Sequence, residues 1–475
     1  MLINQRRRQP MVSKATGQES HWSVTEFMEA ELNDARRTQR LIEIATVLGE
    51  YPGASFPEAC GDKAMLKATY RFFDNDAIEP QAILESHVDA SGERICKVDR
   101  VLAVQDTTEL KLTHHPSTEQ VGPLRVAHQR GLFVHSTLAI TPQRVPLGVL
   151  AQQVWARDAA EVSKAARRKQ LPIEQKESYK WLESLQAVLE ISQDYPDVHF
   201  VSVGDREADV YDLFLVERSP NVDILVRAAW DRRAEHPQKH LWQCIQQQAV
   251  AGNITIEVPR RGKQAARKAV LDIRFTKVRL SPPKHRKSEE LPVITVWAIQ
   301  ALETTVPQGL EPIEWLLLST FPVNSFEEAI EKLDWYCCRW GIEIFHRVLK
   351  SGCKIEARQF ESADRLKRAL PLFSVIAWRI LYATMLCRVL PEAPATAILE
   401  PDEWQALYCR IHQTTQLPKQ MPTLHQAIRW IARLGGFPDR RGDGEPGATV
   451  LWKGFQHLTD LTIMYRILRP PPTHK

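Results

Sequence analysis

The 475-residue sequence predicts a mixed α/β protein, a sheet covered by helices, with mainly helical segments before and after it. Three observations carry that expectation. Residues from about Trp22 to Asn75 repeat apolar side chains with a rough helical period, in Phe27, Leu32, Leu41, Ile42, Ile44 and Ala45. From Lys97 the pattern turns to short Val- and Leu-rich runs, which alternate with helical stretches up to about Val226. After Lys354 the chain again reads as mostly helical.

Taken in order, Val98 to Gln105 reads as a short apolar strand ending at Asp106. Gly131 to Ile140 and Val145 to Val154 form a hairpin around Thr-Pro-Gln-Arg. Glu174 to Ser192 reads as a helix and Val198 to Val203 as a strand that runs into Gly204-Asp205. Ala208 to Val216 reads as a helix, and Val222 to Val226 as a fifth strand. A hairpin followed by alternating strands and helices implies a mixed sheet with helical cover. A β-rich insertion follows, with strands at Ile254 to Val258, Ala269 to Leu280, Pro292 to Ala301 and Trp315 to Ser319. Arg260, Arg261, Lys263, Arg267 and Lys268 fill one of its connections, and Ser281 to Lys287 another. Ser325-Phe-Glu-Glu328 is a capping box that opens one long helix reaching Lys350. Gly435 to Gly447 breaks the last helical region, and Pro470 to Lys475 reads as a disordered end.

Composition limits the function classes. Apolar content of 44% and charged content of 25% are ordinary for a globular protein with at least one large core. Net charge is only +4, but residues 251–290 hold eleven Lys or Arg against four Asp or Glu. The eight cysteines make no CxxC pair, so neither a disulfide frame nor a zinc site is expected. Arg6, Arg7 and Arg8 precede no apolar run, and no signal peptide is expected. The most apolar stretch, Ala369 to Leu390, contains Pro371, Arg379 and Arg388. A buried helix suits it better than a membrane span. Gly-x-Ser-x-Gly and P-loop patterns are absent, so serine hydrolysis and ATP use have no support.

The most informative cluster is Tyr336, Arg339, Glu343 and Lys350. On an unbroken α-helix Tyr336, Glu343 and Lys350 share one stripe, with Arg339 beside it. Arg339 can grip two phosphate oxygens, Lys350 acts as a point charge, and Tyr336 can donate a hydrogen bond. A plain helix pairing of Arg339 with Glu343 explains two of the four residues. Asp106 and Asp205 each follow an apolar run, and ligands of open sheets bind at the carboxyl ends of strands. Three carboxylates, Asp106, Asp205 and Glu343, match the donor chemistry of Mg²⁺ and point to metal-assisted phosphodiester chemistry on DNA. Taken singly, each acid reads better as a cap or a surface residue; together with the helix stripe, the metal-binding reading is preferred. Trp315 and Trp335 offer faces for an unstacked base, although composition alone favours core packing for Trp315. His128, His135 and His346 make no recognisable metal set. Arg36, Arg37 and Arg40 at one helix start, and Lys67 to Phe73 with Tyr70 and Arg71, combine charge with aromatics. A solvated helix face is the bland alternative for both.

Tyr-x2-Arg-x3-Glu-x6-Lys, as Tyr336, Arg339, Glu343 and Lys350, resembles the signature of the insertion-sequence-four family of cut-and-paste transposases. The likeness runs along nearly the whole chain. It includes Asp34-Ala-Arg-Arg-Thr, Tyr70-Arg-Phe, Gln105-Asp-Thr-Thr, Val134-His-Ser, Lys176-Glu-Ser, Gly204-Asp-Arg-Glu-Ala-Asp, Trp315-Leu-Leu-Leu and Ile431-Ala-Arg-Leu-Gly-Gly-Phe, in that order.

The resemblance implies an RNase H-like catalytic domain at 81–372, with the β-rich insertion at about 228–320 and metal ligands Asp106, Asp205 and Glu343. It implies a helical domain at 1–80 that grips transposon-end DNA through Arg36, Arg37, Arg40, Tyr70 and Arg71. It implies a helical dimerisation domain at 373–475. Tyr336, Arg339, Lys350, Arg227 and Trp315 are then the expected DNA contacts of the catalytic domain. Trp315 would help hold a base flipped from a hairpin intermediate. Mg²⁺, with Mn²⁺ as a substitute, is the expected cofactor. The expected partners are inverted-repeat ends, target DNA and a second copy of the chain, in the cytoplasm of a bacterium and away from any membrane. The family pattern does not include Arg6 to Arg8. After Arg227 this chain has Ala-Ala-Trp where the family is more basic, and its C-terminal match is strong only from about Ile428 to Leu458. An RNase H-like nuclease without strand transfer, and a DNA-binding regulator of transposition, are the alternative readings.

Overall fold

The computed structural model describes residues 21–126, 128–158, 171–260 and 265–469. The arginines at 6–8, the tail at 470–475, and Arg261 and Lys263 lie outside the described residues.

A ten-stranded mixed sheet organises the described residues, with helices on both faces. Its first half comprises β1 (Arg100–Lys111), β2 (Gly122–Pro123), β3 (Arg130–Ile140), β4 (Pro146–Trp155), β5 (His199–Gly204) and β6 (Val222–Arg227). The second comprises β7 (Gly252–Val258), β8 (Arg267–Leu280), β9 (Ile294–Glu303) and β10 (Glu314–Ser319). The order runs β2-β3-β1-β5-β6-β10-β9-β8-β7, with β4 also paired to β3. Only β1, β5 and β6 run parallel to one another. The strands of the β-rich insertion do not form a separate layer. β10 pairs antiparallel with β6, so the insertion extends the same sheet.

Period-two alternation divides the sheet into two faces. Leu102 and Val104 of β1, Val201 and Val203 of β5, Leu225 of β6 and Leu317 of β10 belong to one core. Val101, Ala103, Phe200, Ile224, Val226, Leu316 and Leu318 belong to the other. The second face is covered by α6 (Tyr179–Ser192), through Trp181, Leu185 and Val188.

The N-terminal helices are α1 (Trp22–Phe27), α2 (Ala35–Glu50), α3 (Phe56–Cys60), α4 (Lys63–Phe73) and α5 (Pro80–Ile95). Asp34 caps α2 by accepting the Arg36 amide, as the side-chain oxygen of a good cap does. In the centre α7 (Tyr211–Leu215) and α8 (Leu241–Gln246) are short, and α8 is not among the expected helices. α9 (Phe326–Cys337) and α10 (Trp340–Arg347) precede α11 (Ala363–Val389), and the chain ends in α12 (Pro401–His412), α13 (Leu424–Leu434) and α14 (Ala448–Leu468). α11 is the one described helix long and apolar enough to cross a membrane, yet 89% of its apolar window is buried inside the protein.

Three expectations need correction. β1 does not end at Asp106 but continues to Lys111. Its parallel partner β5 stops pairing at Val104, while β3 goes on supplying ladder bonds, from Asp106 opposite Ser136 to Lys111 opposite Gly131. The long helix from Ser325 to Lys350 is broken. Arg339 N–H bonds to Tyr336 O, Gly341 to Cys338 and Ile342 to Arg339, all three residues back. Such bonds tighten the turn, so the seven-residue stripe is rotated out of register. From Val348 to Gly352 the chain opens into a π-helical turn that carries Lys350. Finally, Ala208 to Val216 is helical only in its second half. Asp209 is instead spent on the loop after β6, where it accepts the amides of Ala229 and Trp230 and binds Arg232.

Candidate active site

The parallel pairing of β1 with β5 ends at Val104 opposite Val203. Asp106 and Asp205 each stand two residues beyond that pair, on the same face as Leu102, Val104, Val201 and Val203. The same alternation puts Arg227 after Leu225 on β6, and Trp315 before Leu317 on β10. α9 and α10 lie over this face, through Leu333, Tyr336, Ile342 and Phe345. The sheet thus brings together residues separated by more than 200 positions in the sequence.

Arg339 is the centre of the cluster. Its Nη2 donates to Glu343 Oε1 at 2.7 Å, and its Nη1 lies 3.5 Å from Asp106 Oδ2. Its Nε is buried without a hydrogen-bond partner. Burial opposes the guanidinium charge, but Tyr336, Asp106 and Glu343 outweigh it and raise the pKa. Asp106 is pushed up to about 6, first by burial and then by the charges of Asp205 and Glu343, against the pull of Arg339 and the Thr107 amide. Burial also raises Asp205, helped by Glu207 and opposed by the Glu207 amide, Arg339 and Lys180. Each aspartate has one oxygen fixed by a backbone N–H: Asp106 by Thr107 and Asp205 by Glu207, both at 2.8 Å.

The remaining expected contacts fall into two groups. Tyr336 is turned inward and only 6% exposed, and burial raises its phenol pKa. It packs edge-on against Trp315 with ring centroids 6.0 Å apart. Arg227 donates Nη2 to Glu314 O at 2.8 Å; burial first, then Arg206 and Arg339, lower its pKa. Lys350 donates Nζ to Glu109 O at 2.7 Å and lies 3.4 Å from Glu356. Trp315 is half-buried, whereas Trp335 is in the core beneath Lys332, whose Nζ is 4.1 Å from its ring centroid.

The N-terminal group is separate from the acids. Arg36 is exposed and bridges its own cap, Asp34; Arg40 pairs with Glu43 at 2.7 Å; and Arg37 donates to Leu32 O. Tyr70 and Arg71 are exposed near the end of α4, with Tyr70 edge-on to Phe56.

Sequence reasoning missed Trp340 and Lys180, whereas His135 and His346, which make no metal set, take structural places beside the site. Trp340 is half exposed and meets Trp315 edge-on at 6.2 Å, and its place beside Arg339 in the motif was the available signal. Lys180 lies 3.3 Å from Glu207 and acts on Asp205. His135 is bonded to Thr107 Oγ1 at 2.8 Å under Asp106. His346 is 3.4 Å from Ser136, with its pKa lowered to about 3 by burial and by Lys350. Both histidines are neutral supports rather than cations.

Among the described residues no three acidic, histidine or cysteine side chains are close enough to cage an ion as they stand. The donor set nevertheless suits a hard divalent cation in kind. It offers only carboxylate oxygens, and burial and neighbouring carboxylates (Asp205 and Glu343 for Asp106, Glu207 for Asp205) strain the ionised forms of both aspartates, which a cation would relieve.

Known protein families match the two ends of the chain. A model described as the Transposase Tn5 dimerisation domain matches residues 375–469, which span most of α11 and all of α12 to α14. A model described as Transposase DNA-binding matches residues 19–78, the segment of α1 to α4. Among solved structures, the piggyBac transposase synaptic complex with hairpin DNA is similar over 96% of this chain and 80% of that one, at 9% identity and a TM-score of 0.36. That likeness is too slight to carry an argument. The two ends of the chain are thus similar to a transposase DNA-binding domain and to the dimerisation domain of Tn5 transposase.

Proposed function

We propose that the chain is a metal-dependent cut-and-paste DNA transposase whose central domain is RNase H-like and whose catalytic acids are Asp106, Asp205 and Glu343. The observation that supports this reading is the matched offset of Asp106 and Asp205 beyond Val104 and Val203, with Arg339 bridging Asp106 to Glu343 above the same face.

Mg²⁺ or Mn²⁺ held by the three acids would supply Lewis-acid activation of the attacking oxygen and stabilise the leaving one. The backbone amides of Thr107 and Glu207 hold the two aspartates in fixed orientations. Arg339, Arg227 and Lys350 form a cationic rim suited to the scissile phosphate and its neighbours. Trp315, with Trp340 beside it, offers an aromatic pair for a base turned out of the stack. In this reading water cuts one strand, and the freed 3′-hydroxyl attacks the opposite strand to form a hairpin. A second water opens the hairpin, and the new 3′-hydroxyl joins target DNA. Arg36, Arg37, Arg40, Tyr70 and Arg71 grip the inverted-repeat end, and α11 to α14 pair two subunits across two ends. The reading carries with it a nucleoid-bound, cytoplasmic location.

The test is cleavage and joining of a labelled end duplex in Mg²⁺ by Asp106→Ala, Asp205→Ala and Glu343→Ala proteins. Each variant should retain end binding and lose both reactions. Normal cleavage by any of the three removes that residue from the set. Cutting of the duplex by the wild type with no joining of pre-cut ends supports a nuclease instead, and binding with no nicking in Mg²⁺ or Mn²⁺ supports a regulator.

A further inference from the structure

Arg339 is held where an ion between the acids would act. It spans Asp106 at 3.5 Å and Glu343 at 2.7 Å, although the two acids lie on different elements, β1 and α10. Its side chain is only 11% exposed, so little water screens it from Asp106. Two features mark this as an incomplete resting place for a guanidinium. The Nε donor is buried without a partner. The contact with Asp106 is at the long limit of a hydrogen bond, so the fork that suits a carboxylate or phosphate is not closed on either acid. Arg227 repeats the pattern nearby, with its own Nε buried and unpartnered and its charge facing that of Arg339. Each guanidinium keeps one unpartnered Nε, although Arg227 also donates to Glu314 O and Tyr336 bonds to both, and two neighbouring cations of this kind suit an anion with several oxygens.

We propose that Arg339 is an internal counter-ion that competes with divalent ions for Asp106 and Glu343, and that ion binding releases it to hold a DNA phosphate. This inference rests on the reading of Asp106, Asp205 and Glu343 as ion ligands and adds a coupling between the ion and DNA sites. Before ion binding, Arg339 offsets the repulsion between Asp106 and the half-exposed Glu343. A divalent ion supplies more positive charge to the same oxygens and repels the guanidinium. The freed fork can then turn its Nη donors and the orphaned Nε to phosphate oxygens. Because coupling is reciprocal, a phosphate that draws Arg339 away must also tighten ion binding. Arg339 is a positioning residue before the ion binds and a substrate contact afterwards.

The experiment measures Mn²⁺ binding by electron paramagnetic resonance on the full-length protein, without and with a pre-cut end duplex. Wild type, Arg339→Gln, Arg339→Lys and Asp106→Ala are compared, and thermal melting checks that each is folded. Without DNA, Arg339→Gln should bind Mn²⁺ roughly three- to tenfold more tightly than wild type, because a competing cation has gone. Arg339→Lys, which keeps the charge, should stay near the wild-type value. Added DNA should tighten Mn²⁺ binding in wild type and do so less in Arg339→Gln. Weaker or unchanged Mn²⁺ binding by folded Arg339→Gln overturns the competition. If Asp106→Ala binds Mn²⁺ as well as wild type does, the assignment of the acids fails instead. Loss of binding in Asp106→Ala together with weakened binding in Arg339→Gln leaves the acids standing and removes only the counter-ion role.

Discussion

His87 and Glu26 are joined at 2.5 Å between Nδ1 and Oε2, and the other ring nitrogen of His87 accepts the Val149 amide at 3.0 Å. An acceptor at Nε2 requires a neutral ring, so Nδ1 carries the proton and donates it to Glu26. The charge partner of Glu26 is therefore Arg94, whose Nη1 lies 2.8 Å from Oε1 and whose guanidinium rests 4.3 Å over Trp378. Together these residues tie α1, in the segment matched as DNA-binding, to α5, β4 and α11.

The cluster makes stability depend on pH in a defined direction. Burial lowers the His87 pKa below its ordinary 6.5, so the unfolded chain takes up that proton first as pH falls. Glu26 is lowered to about 2; burial works the other way, but His87 and Arg94 outweigh it. Both groups contribute stability above their unfolded values. The His87 share begins to be lost below 6.5, and the Glu26 share between 4.5 and about 2. Melting temperature should be level between about pH 7 and 8 and fall as pH drops below 6.5. His87→Gln should flatten the upper part of that fall. Burial lowers His21, His135 and His346 as well, so the variant should remove part of the fall, and parallel curves for the two proteins would remove His87 as a contributor.

Ion binding should appear as stabilisation. A ligand that binds only the folded state at about 100 times its Kd adds about 2.7 kcal/mol. Saturating Mn²⁺ should therefore raise the wild-type melting temperature measurably and leave Asp106→Asn unmoved. An equal rise in both proteins would place the ion elsewhere.

The Trp315 and Trp340 pair separates function from stability. Trp340 is 52% exposed, so Trp340→Ala should leave the melting temperature nearly unchanged. Base stacking on an aromatic ring is worth about 1–3 kcal/mol, so loss of one face should slow hairpin formation about tenfold or more. End binding should barely change. A gel assay that resolves nicked, hairpin and open products, with a melting curve and an end-binding titration beside it, checks the three expectations, and unchanged hairpin formation in both Trp315→Ala and Trp340→Ala would sink the role.

The sequence was informative wherever one local period decided the outcome. Val98 to Gln105 and Val198 to Val203 were legible as strands because both are short and rich in Val and other apolar residues, and Asp106 and Asp205 stood out because each directly follows such a stretch or its closing glycine. What could not be read was partnership. That β1 continues past Asp106 depends on β3, a strand that begins 19 residues after β1 ends. The break at Arg339 depends on three-residue hydrogen bonds that the composition of Trp-Tyr-Cys-Cys-Arg-Trp does not announce. As a result the expected stripe of Tyr336, Glu343 and Lys350 was misjudged. Tyr336 is packed under Trp315, Glu343 is half exposed and Lys350 is bound to β1. The bland pairing of Arg339 with Glu343 is present too, but it extends to Asp106, which no helical spacing could have indicated.

The crossing of α13 and α14 gives the last prediction. A Cβ on Gly454 would stand 1.9 Å from Ile431 O, and one on Gly435 would stand 1.8 Å from Val450 O. Both contacts are with backbone, which cannot rotate aside as a side chain would. Neither glycine has a positive φ, so close approach of the helices, and not turn geometry, is what requires them. Gly454→Ala should therefore cost about 2–4 kcal/mol by forcing the helices apart. Gly447→Ala is the control, because a Cβ there meets nothing within 4 Å. Both glycines lie in the segment matched as a dimerisation domain, so the damage should reach subunit pairing. Light scattering of complexes with end DNA should show Gly454→Ala shifted from paired to single ends, while Gly447→Ala pairs normally. Arg36 and Arg40 are on α2, at the other end of the chain, so binding of one end should survive. Equal loss of single-end binding in Gly454→Ala would mean that α14 supports α2 directly. Thr459, which donates Oγ1 to Glu50 O at 3.1 Å, would then be the contact to examine.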